Sequence, residues 1–461
     1  MTGFDGQKLA DWCGGIWSPA LPAVPVTSVV HDSRAVTPGA LYVALPGARV
    51  DGHDFLAAAA AVGAAGALVQ QGRAHAALPC LEVADPAQGL IDLAKGHRAG
   101  LQVPVIGITG SAGKTTVKEL VAAMLAQRGP TCKTSGNWNN FIGLPLSVLR
   151  MTPEDAFGVF EAGMNRPGEI RRLCEIFRPT VGIVTTIGEA HLEAFGNVEG
   201  IAWEKASLLH ALPETGLALV DADSPWLEVL RSRLVARSRT FGFQAAADYQ
   251  GLDTDGGAQT LAVLDRQRGV TLRLQCPLPG QHMRSNVLQA AAIAREMGLT
   301  EAEIVAGLRD FAPAPMRWQH MSAGGFQLVN DAYNANPLSM RSAIEAFAGI
   351  EAPGGKWLVL GGMYELGPEE AAAHRGVGEF LSGFAFEGLV CVGPRAAWIA
   401  EAARLPHVFA VRDVREAAAC LHREAAPGAH LLLKASRSER LERLVPILNE
   451  MPPDGKETTP V

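Results

Sequence analysis

Short apolar runs recur along most of the chain, each followed by a stretch whose apolar positions fall three and four residues apart. Val103–Thr109, Phe157–Glu161, Val181–Thr186, Leu217–Val220, Lys356–Leu360 and His430–Leu433 are the clearest runs. Runs of this length read as buried strands, and their alternation with helical periods predicts α/β architecture with largely parallel sheets. No short-period repeat is present, which removes a solenoid. Asp248–Leu278 differs: strand-like pieces are separated by the turn formers GLDTDGGAQ and DRQRG, predicting a β-rich appendage. Breaks at Gly100–Pro104 and Ala312–Pro315 divide the chain into sections 1–102, 103–313 and 314–461, and the last ten residues, PPDGKETTPV, read as a disordered tail.

Composition narrows the class. At 461 residues the chain exceeds one ordinary core, and 48% hydrophobic with 19% charged residues is normal for a globular protein. A net charge of -7 argues against a nucleic-acid partner. Cys13, Cys80, Cys132, Cys174, Cys276, Cys391 and Cys420 are scattered with no C-x-x-C pair, which predicts reduced thiols and a cytoplasmic setting. The first residues, MTGFDGQKLADW, lack the apolar run of a signal peptide, and the Ala-rich stretch Ala57–Ala65 is too short to span a membrane.

The strongest local chemistry is Pro104-Val-Ile-Gly-Ile-Thr-Gly-Ser-Ala-Gly-Lys-Thr-Thr116. A strand enters a glycine-rich turn, and a helix follows with Val117, Leu120, Val121, Met124 and Leu125 on one face, stopped by Gly129-Pro130. Gly110 and Gly113 let backbone N–H groups turn towards phosphate oxygens at the positive end of a helix. Lys114 reaches the outer phosphates and Thr115 offers a hydroxyl to Mg²⁺. Ile108 stands where the longer phosphate-loop pattern has its first Gly, so the shorter T-G-x-x-G-K-T is the one matched. Such a loop serves switches, kinases, motors and ligases alike.

Further residues are ambiguous alone. Glu161 closes a strand, where it can hold Mg²⁺ or simply be solvated. His191 follows a turn, as a neutral metal ligand or an ordinary loop histidine. Lys205 falls on a helix, with a surface lysine as its default reading, and Asn137-Trp-Asn-Asn-Phe is a loop dense in Asn.

Together, and in order, these elements resemble the Mur ligase superfamily over nearly the whole chain. The resemblance rests on HDSRAVTPGALYVALPGARVDGHDF (His31–Phe55), TGSAGKTT, NWNNFIGLPLS, EAGMNRPGEI, TTIGEAHLEAFG, NDAYNANPLSM (Asn330–Met340), GGMYELG (Gly361–Gly367) and KASRSERLE (Lys434–Glu442). YNANP and MYELG are most similar to the branch that adds D-alanyl-D-alanine to a UDP-N-acetylmuramoyl-tripeptide, ahead of the branch that adds the third residue or folylpolyglutamate synthases. The resemblance implies a central phosphate-loop domain with a parallel sheet. A smaller N-terminal α/β domain that binds UDP-sugar and a C-terminal Rossmann-like domain flank it.

It further implies an ATP- and Mg²⁺-dependent ligase; a cytoplasmic monomer with no membrane span is expected. Thr109, Gly110, Ser111, Ala112, Gly113, Lys114, Thr115 and Thr116 would cradle phosphate, Asn286 would contact adenine, and Tyr333, Asn334 and Asn336 would line the nucleotide cleft. Thr115, Glu161, His191 and Lys205 would serve the metals, Lys205 as a carbamate. Lys114, Lys205, His191, Arg317 and Asp331 would carry catalysis. Ser33, Arg34, Asn137, Asn139 and Asn140 would touch the UDP-peptide. The chain departs from the family pattern at Phe141 and Gly362, where acids are usual, and at Met316 and Ala435, where Gly is usual.

Overall fold

A computed structural model describes residues 3–47, 49–244, 246–254 and 259–451. The tail expected to be disordered lies outside them. Three sheets carry the architecture. The first orders its strands Ile16–Ser18, Cys80–Val83, Gly66–Gln70, Ala40–Val43 and Ser28–Val30, all parallel except the first pair. The second has nine strands and places Val105–Thr109 between Val181–Val184 and Phe157–Glu161, in parallel register with both. The third runs Gln319–Ala323, Phe326–Asn330, His430–Lys434, Lys356–Leu360, Gly388–Val392 and His407–Val411, parallel apart from its opening hairpin.

The expected appendage is instead the edge of the central sheet. Tyr249–Leu252 pairs in parallel with Arg237–Gly242, then Thr260–Asp265 and Val270–Gln275 continue antiparallel. The reason is alternation: Leu261, Val263, Leu272 and Leu274 point into the same core as helix Gln281–Glu296. A one-sided apolar face finds cover by extending an existing sheet.

Helix Lys114–Leu125 ends a turn before Gly129–Pro130 and packs on one face of the central sheet, with Gln281–Glu296 and Glu301–Arg309 beside it. The opposite face shares a continuous core with the N-terminal unit. Leu90, Leu93 and Ala94 of helix Pro86–Ala99 are buried in one cluster with Phe160, Leu173 and Phe177. Within this joint the buried Arg98 guanidinium donates to the carbonyls of Phe177, Leu101, Val103 and Arg178. The C-terminal sheet has its own cores on both faces. All seven cysteines are free thiols, six of them buried. Among the described residues no helix is long and apolar enough to cross a membrane.

Candidate active site

The phosphate loop is fixed by sterics before any ligand enters. A Cβ on Gly110 would lie 1.9 Å from Thr185 Oγ1, and one on Gly113, whose φ is 80°, would lie 2.7 Å from Asn286 Oδ1. Neither position admits a side chain. The loop is pinned by hydrogen bonds: Ser111 N donates to Thr186 O (2.8 Å), Ser111 Oγ to Gly188 O (2.9 Å) and Ala112 N to Thr186 Oγ1 (3.0 Å). Thr109 Oγ1 donates to Ala162 O at 2.9 Å, tying the strand end to its neighbour. Lys114 opens the helix and folds back, its Nζ donating to Gly110 O at 2.7 Å. Burial pushes this ammonium below its ordinary value, and Arg317 adds to the effect while Glu161 opposes it.

Two clefts meet here. One is lined by Ser111–Thr116 and Asn286 from the central unit and by Arg317, Asp331, Asn334 and Asn336 from the C-terminal unit. The other is lined by Asn137, Asn139, Asn140, Glu161, His191, Lys205 and Tyr333. Lys114, Arg317 and Asn334 line both, so the clefts join beside the phosphate loop. Two sheets thus present the C-terminal ends of their parallel strands to one space, where open α/β folds collect ligands.

Residues that looked ordinary in the sequence are unusual in place. Glu161 is 1% exposed and takes only neutral donors, Thr115 Oγ1 at 2.9 Å and Asn139 Nδ2 at 2.7 Å. Lys205, on helix Val198–His210, is likewise 1% exposed. Its Nζ approaches Met164 Sδ at 3.7 Å. Burial first, and Lys114 second, push its ammonium well below the ordinary lysine value. His191 adopts a left-handed backbone (φ 59°) and bonds through Nδ1 to Glu365 Oε2 at 2.5 Å.

These side chains fit Mg²⁺ in its usual manner. Among the described residues no three His, Cys, Asp or Glu side chains converge into a ready-made cage. Mg²⁺ does not need one, because it is usually held by one or two carboxylates with substrate phosphates and water. A buried Glu161 carboxylate with neutral donors only, touching the loop hydroxyl of Thr115, matches that donor set. An unmodified Lys205 ammonium does not match, whereas a carbamate there would.

On the C-terminal side, the Arg317 guanidinium stacks over the Tyr333 ring, 4.3 Å from its centroid. Burial raises the Tyr333 phenol, which has Asn137 as a side-chain partner. Asp331 pairs with buried Lys434 at 2.6 Å and accepts from Trp318 N at 3.1 Å. Asn336 Nδ2 donates to Ser111 O at 3.2 Å, joining the C-terminal unit to the phosphate loop. Phe141 stacks under Arg172, whose guanidinium lies 4.5 Å from the ring centroid. Ser33 and Arg34 line neither cleft; they form a short 3-10 turn in which Arg34 points to solvent and pairs with Asp32 at 2.7 Å. Their neighbour His31 meets Trp138 edge-on at 5.8 Å, so this end of the first sheet does face the Asn-rich loop. Sequence reasoning gave no role to Lys434 or Glu365. Both stand in motifs it had singled out, and their partners are distant in the chain.

Comparison with known proteins agrees with this geometry. Residues 108–294 match the Mur ligase middle domain, 316–437 the Mur ligase glutamate ligase domain, and 25–127 the Mur ligase family catalytic domain. The chain belongs to the Mur ligase family. It is 37% identical over 439 residues to the UDP-N-acetylmuramoyl-tripeptide--D-alanyl-D-alanine ligase of Escherichia coli (strain K12), covering 93% of this chain and 94% of that relative. The crystal structure of MurF from Acinetobacter baumannii superposes with a TM-score of 0.87 at 29% identity, covering 97% of this chain and 99% of that one. MurF ligase from Thermotoga maritima in complex with ADP gives a TM-score of 0.77 at 29% identity, covering 92% and 97%.

Proposed function

We propose that this chain is an ADP-forming amide ligase joining D-alanyl-D-alanine to a UDP-N-acetylmuramoyl-tripeptide in cell-wall precursor synthesis. It acts as a monomer in the cytoplasm. The observation that carries the reading is a single joined cleft in which Lys114, Glu161, His191 and Lys205 meet Arg317 and Tyr333 from a second unit. The Escherichia coli relative supports the choice of substrates, and the ADP-bound Thermotoga maritima ligase supports the nucleotide.

The chemistry follows from the acceptor. A carboxylate is a poor electrophile, so its oxygen first attacks the γ-phosphorus of ATP, giving an acyl phosphate and ADP. The amine of the dipeptide then attacks the acyl carbon, and the tetrahedral intermediate expels phosphate and leaves an amide. Lys114 and Arg317 neutralise charge on the transferring phosphoryl group. Thr115 and Glu161 would hold one Mg²⁺, and His191 and a carbamylated Lys205 would hold a second; such ions would supply further neutralisation of the phosphates. A neutral lysine amine in a dry site is the form that adds CO₂. Asn286 contacts adenine, while Tyr333, Asn334, Asn336 and the Asp331–Lys434 pair shape the nucleotide cleft. Asn137, Asn139 and Asn140 hold the acyl peptide. Residues 1–102, including Ser33 and Arg34, hold the UDP end, 103–313 hold ATP and the acyl end, and 314–461 bring the amine.

The test is phosphate release from ATP with UDP-N-acetylmuramoyl-tripeptide, comparing D-alanyl-D-alanine with a diamino acid and with glutamate. Release only with the dipeptide is expected. Release with the diamino acid, with glutamate, or without any amine would each overturn the reading. A ¹³C carbamate signal after incubation with labelled bicarbonate, absent in Lys205→Arg, checks the modification.

A further inference from the structure

Glu365 has no role in the chemistry above, yet it pairs with the His191 ring. Its carboxylate Oε2 lies 2.5 Å from His191 Nδ1. The two residues belong to different units: His191 follows the central strand Val181–Val184, and Glu365 follows the C-terminal strand Lys356–Leu360. Each sits in a left-handed backbone, with φ of 59° and 63°. A non-glycine residue there costs on the order of 1 kcal/mol or more, and such conformations persist where surrounding structure dictates them. A partly exposed pair of this kind returns roughly 0–1 kcal/mol, too little to account for two such residues.

The surroundings dictate them from both sides. Glu193 N donates to Glu365 O at 3.3 Å, so the loops also meet through backbone. Leu192 packs against both the central and the C-terminal core. On either side of Glu365, Met363 and Leu366 are buried, with Met363 N donating to His374 Nε2 at 2.9 Å and Tyr364 N to Ser436 Oγ at 3.3 Å. The bond through Nδ1 decides which ring nitrogen is left. When Nδ1–H donates to the carboxylate, the neutral ring carries its lone pair on Nε2, and His191 lines the same cleft as Glu161 and Lys205. Metal-binding histidines are held in this way by a carboxylate on the other nitrogen.

We propose that Glu365 is a positioning residue that orients His191 for the second metal ion, and that this position is complete only while the C-terminal unit is docked. The proposal rests on the reading of His191 as a metal ligand. It makes the cleft self-checking: the second ion is well held only when the unit that delivers the amine is in place.

The experiment counts Mn²⁺ bound to the full chain with a non-hydrolysable ATP analogue, by electron paramagnetic resonance, and uses thermal unfolding to confirm folding of each variant. Wild type is expected to bind two ions and His191→Ala one. Glu365→Ala weakens the second ion about 10–100-fold and leaves the first unchanged, with Glu365→Gln in between. Leu338, whose side chain lies 3.1 Å from where a Cβ on Gly188 would be, tests the docking half. Leu338→Ala, which thins the same joint without touching His191, weakens the second ion by a smaller factor. Wild-type second-ion affinity in Glu365→Ala, alongside loss in His191→Ala, overturns the role of Glu365. Two ions in His191→Ala overturn the ligand assignment beneath it. An unchanged Leu338→Ala overturns the coupling to docking.

Discussion

The central unit meets a neighbour on each side, and the two meetings are built from different materials. Towards the N-terminal unit it shares apolar core, with helix Pro86–Ala99 laid against Gly143–Val148 and Glu169–Phe177. The Arg98 guanidinium and a bond between His97 Nε2 and Met151 O at 2.8 Å secure the edges. Towards the C-terminal unit no buried core is shared among the described residues; the joint is made by Asn336 to Ser111, Glu365 to His191, and partly buried aliphatic groups such as Leu192, Leu278 and Leu338. A shared core separates only with global unfolding, whereas a joint without one opens at lower cost. The difference assigns fixed geometry to the side that would hold the long UDP-peptide and movement to the side that would bring the amine. An acyl phosphate needs such closure, because open water would hydrolyse it.

Three substitutions test the contrast. The largest effect is expected at the fixed joint. Arg98→Ala leaves four carbonyls without their buried donor and should lower stability by about 2–4 kcal/mol. Urea unfolding measures this, and a loss under about 1 kcal/mol would mean the apolar core alone holds the two units. At the moving joint, Arg317→Ala should cut amine-dependent phosphate release about 100-fold, roughly 2.7 kcal/mol of transition-state stabilisation, while barely changing the melting temperature. Equal losses of stability and turnover would erase the distinction.

The smallest effect serves as a baseline away from both joints. Asp221 ends strand Leu217–Asp221, where burial lifts its carboxyl to about 6. The fold therefore favours the protonated form, so its stability penalty is absent below the unfolded value near 3.8 and grows as pH rises to about 6. Asp221→Asn keeps an acceptor for Asp223 N, which bonds Oδ1 at 2.9 Å. It should stabilise the protein by about 1–2 kcal/mol at pH 8 and by almost nothing near pH 3.5. Chemical denaturation at both pH values decides it, and an equal gain at both would deny the titration.

What was legible in the chain follows the reach of each interaction. The phosphate loop could be read because strand, glycines and helix are contiguous. Phe157–Glu161 and Lys356–Leu360 were bounded correctly because buried parallel strands are continuous apolar runs. Ile16–Ser18, Ser28–Val30 and Thr131–Lys133 are three residues each, too short to show a period. The 249–275 meander was seen as strands but misplaced, since its attachment depends on Tyr249 meeting Phe241 across the sheet edge. Glu161 and Lys205 were found through motif resemblance, and nothing local announced their burial. Glu365 and Lys434 passed unnoticed because each acquires meaning only from a partner brought by another strand.

Asn336 ties the helix that begins the C-terminal layer to the loop that would grip phosphate, using both ends of one amide. Its oxygen accepts from Ser339 N at 2.8 Å and caps helix Pro337–Ala348, while its nitrogen reaches Ser111 O. Aspartate or serine would cap the helix equally well. Aspartate, however, would turn a second acceptor towards the Ser111 carbonyl, and serine is too short to span the gap. A position that tolerates several residues in an isolated helix therefore narrows here to one, and local helix design has lost its freedom to a contact in a different unit.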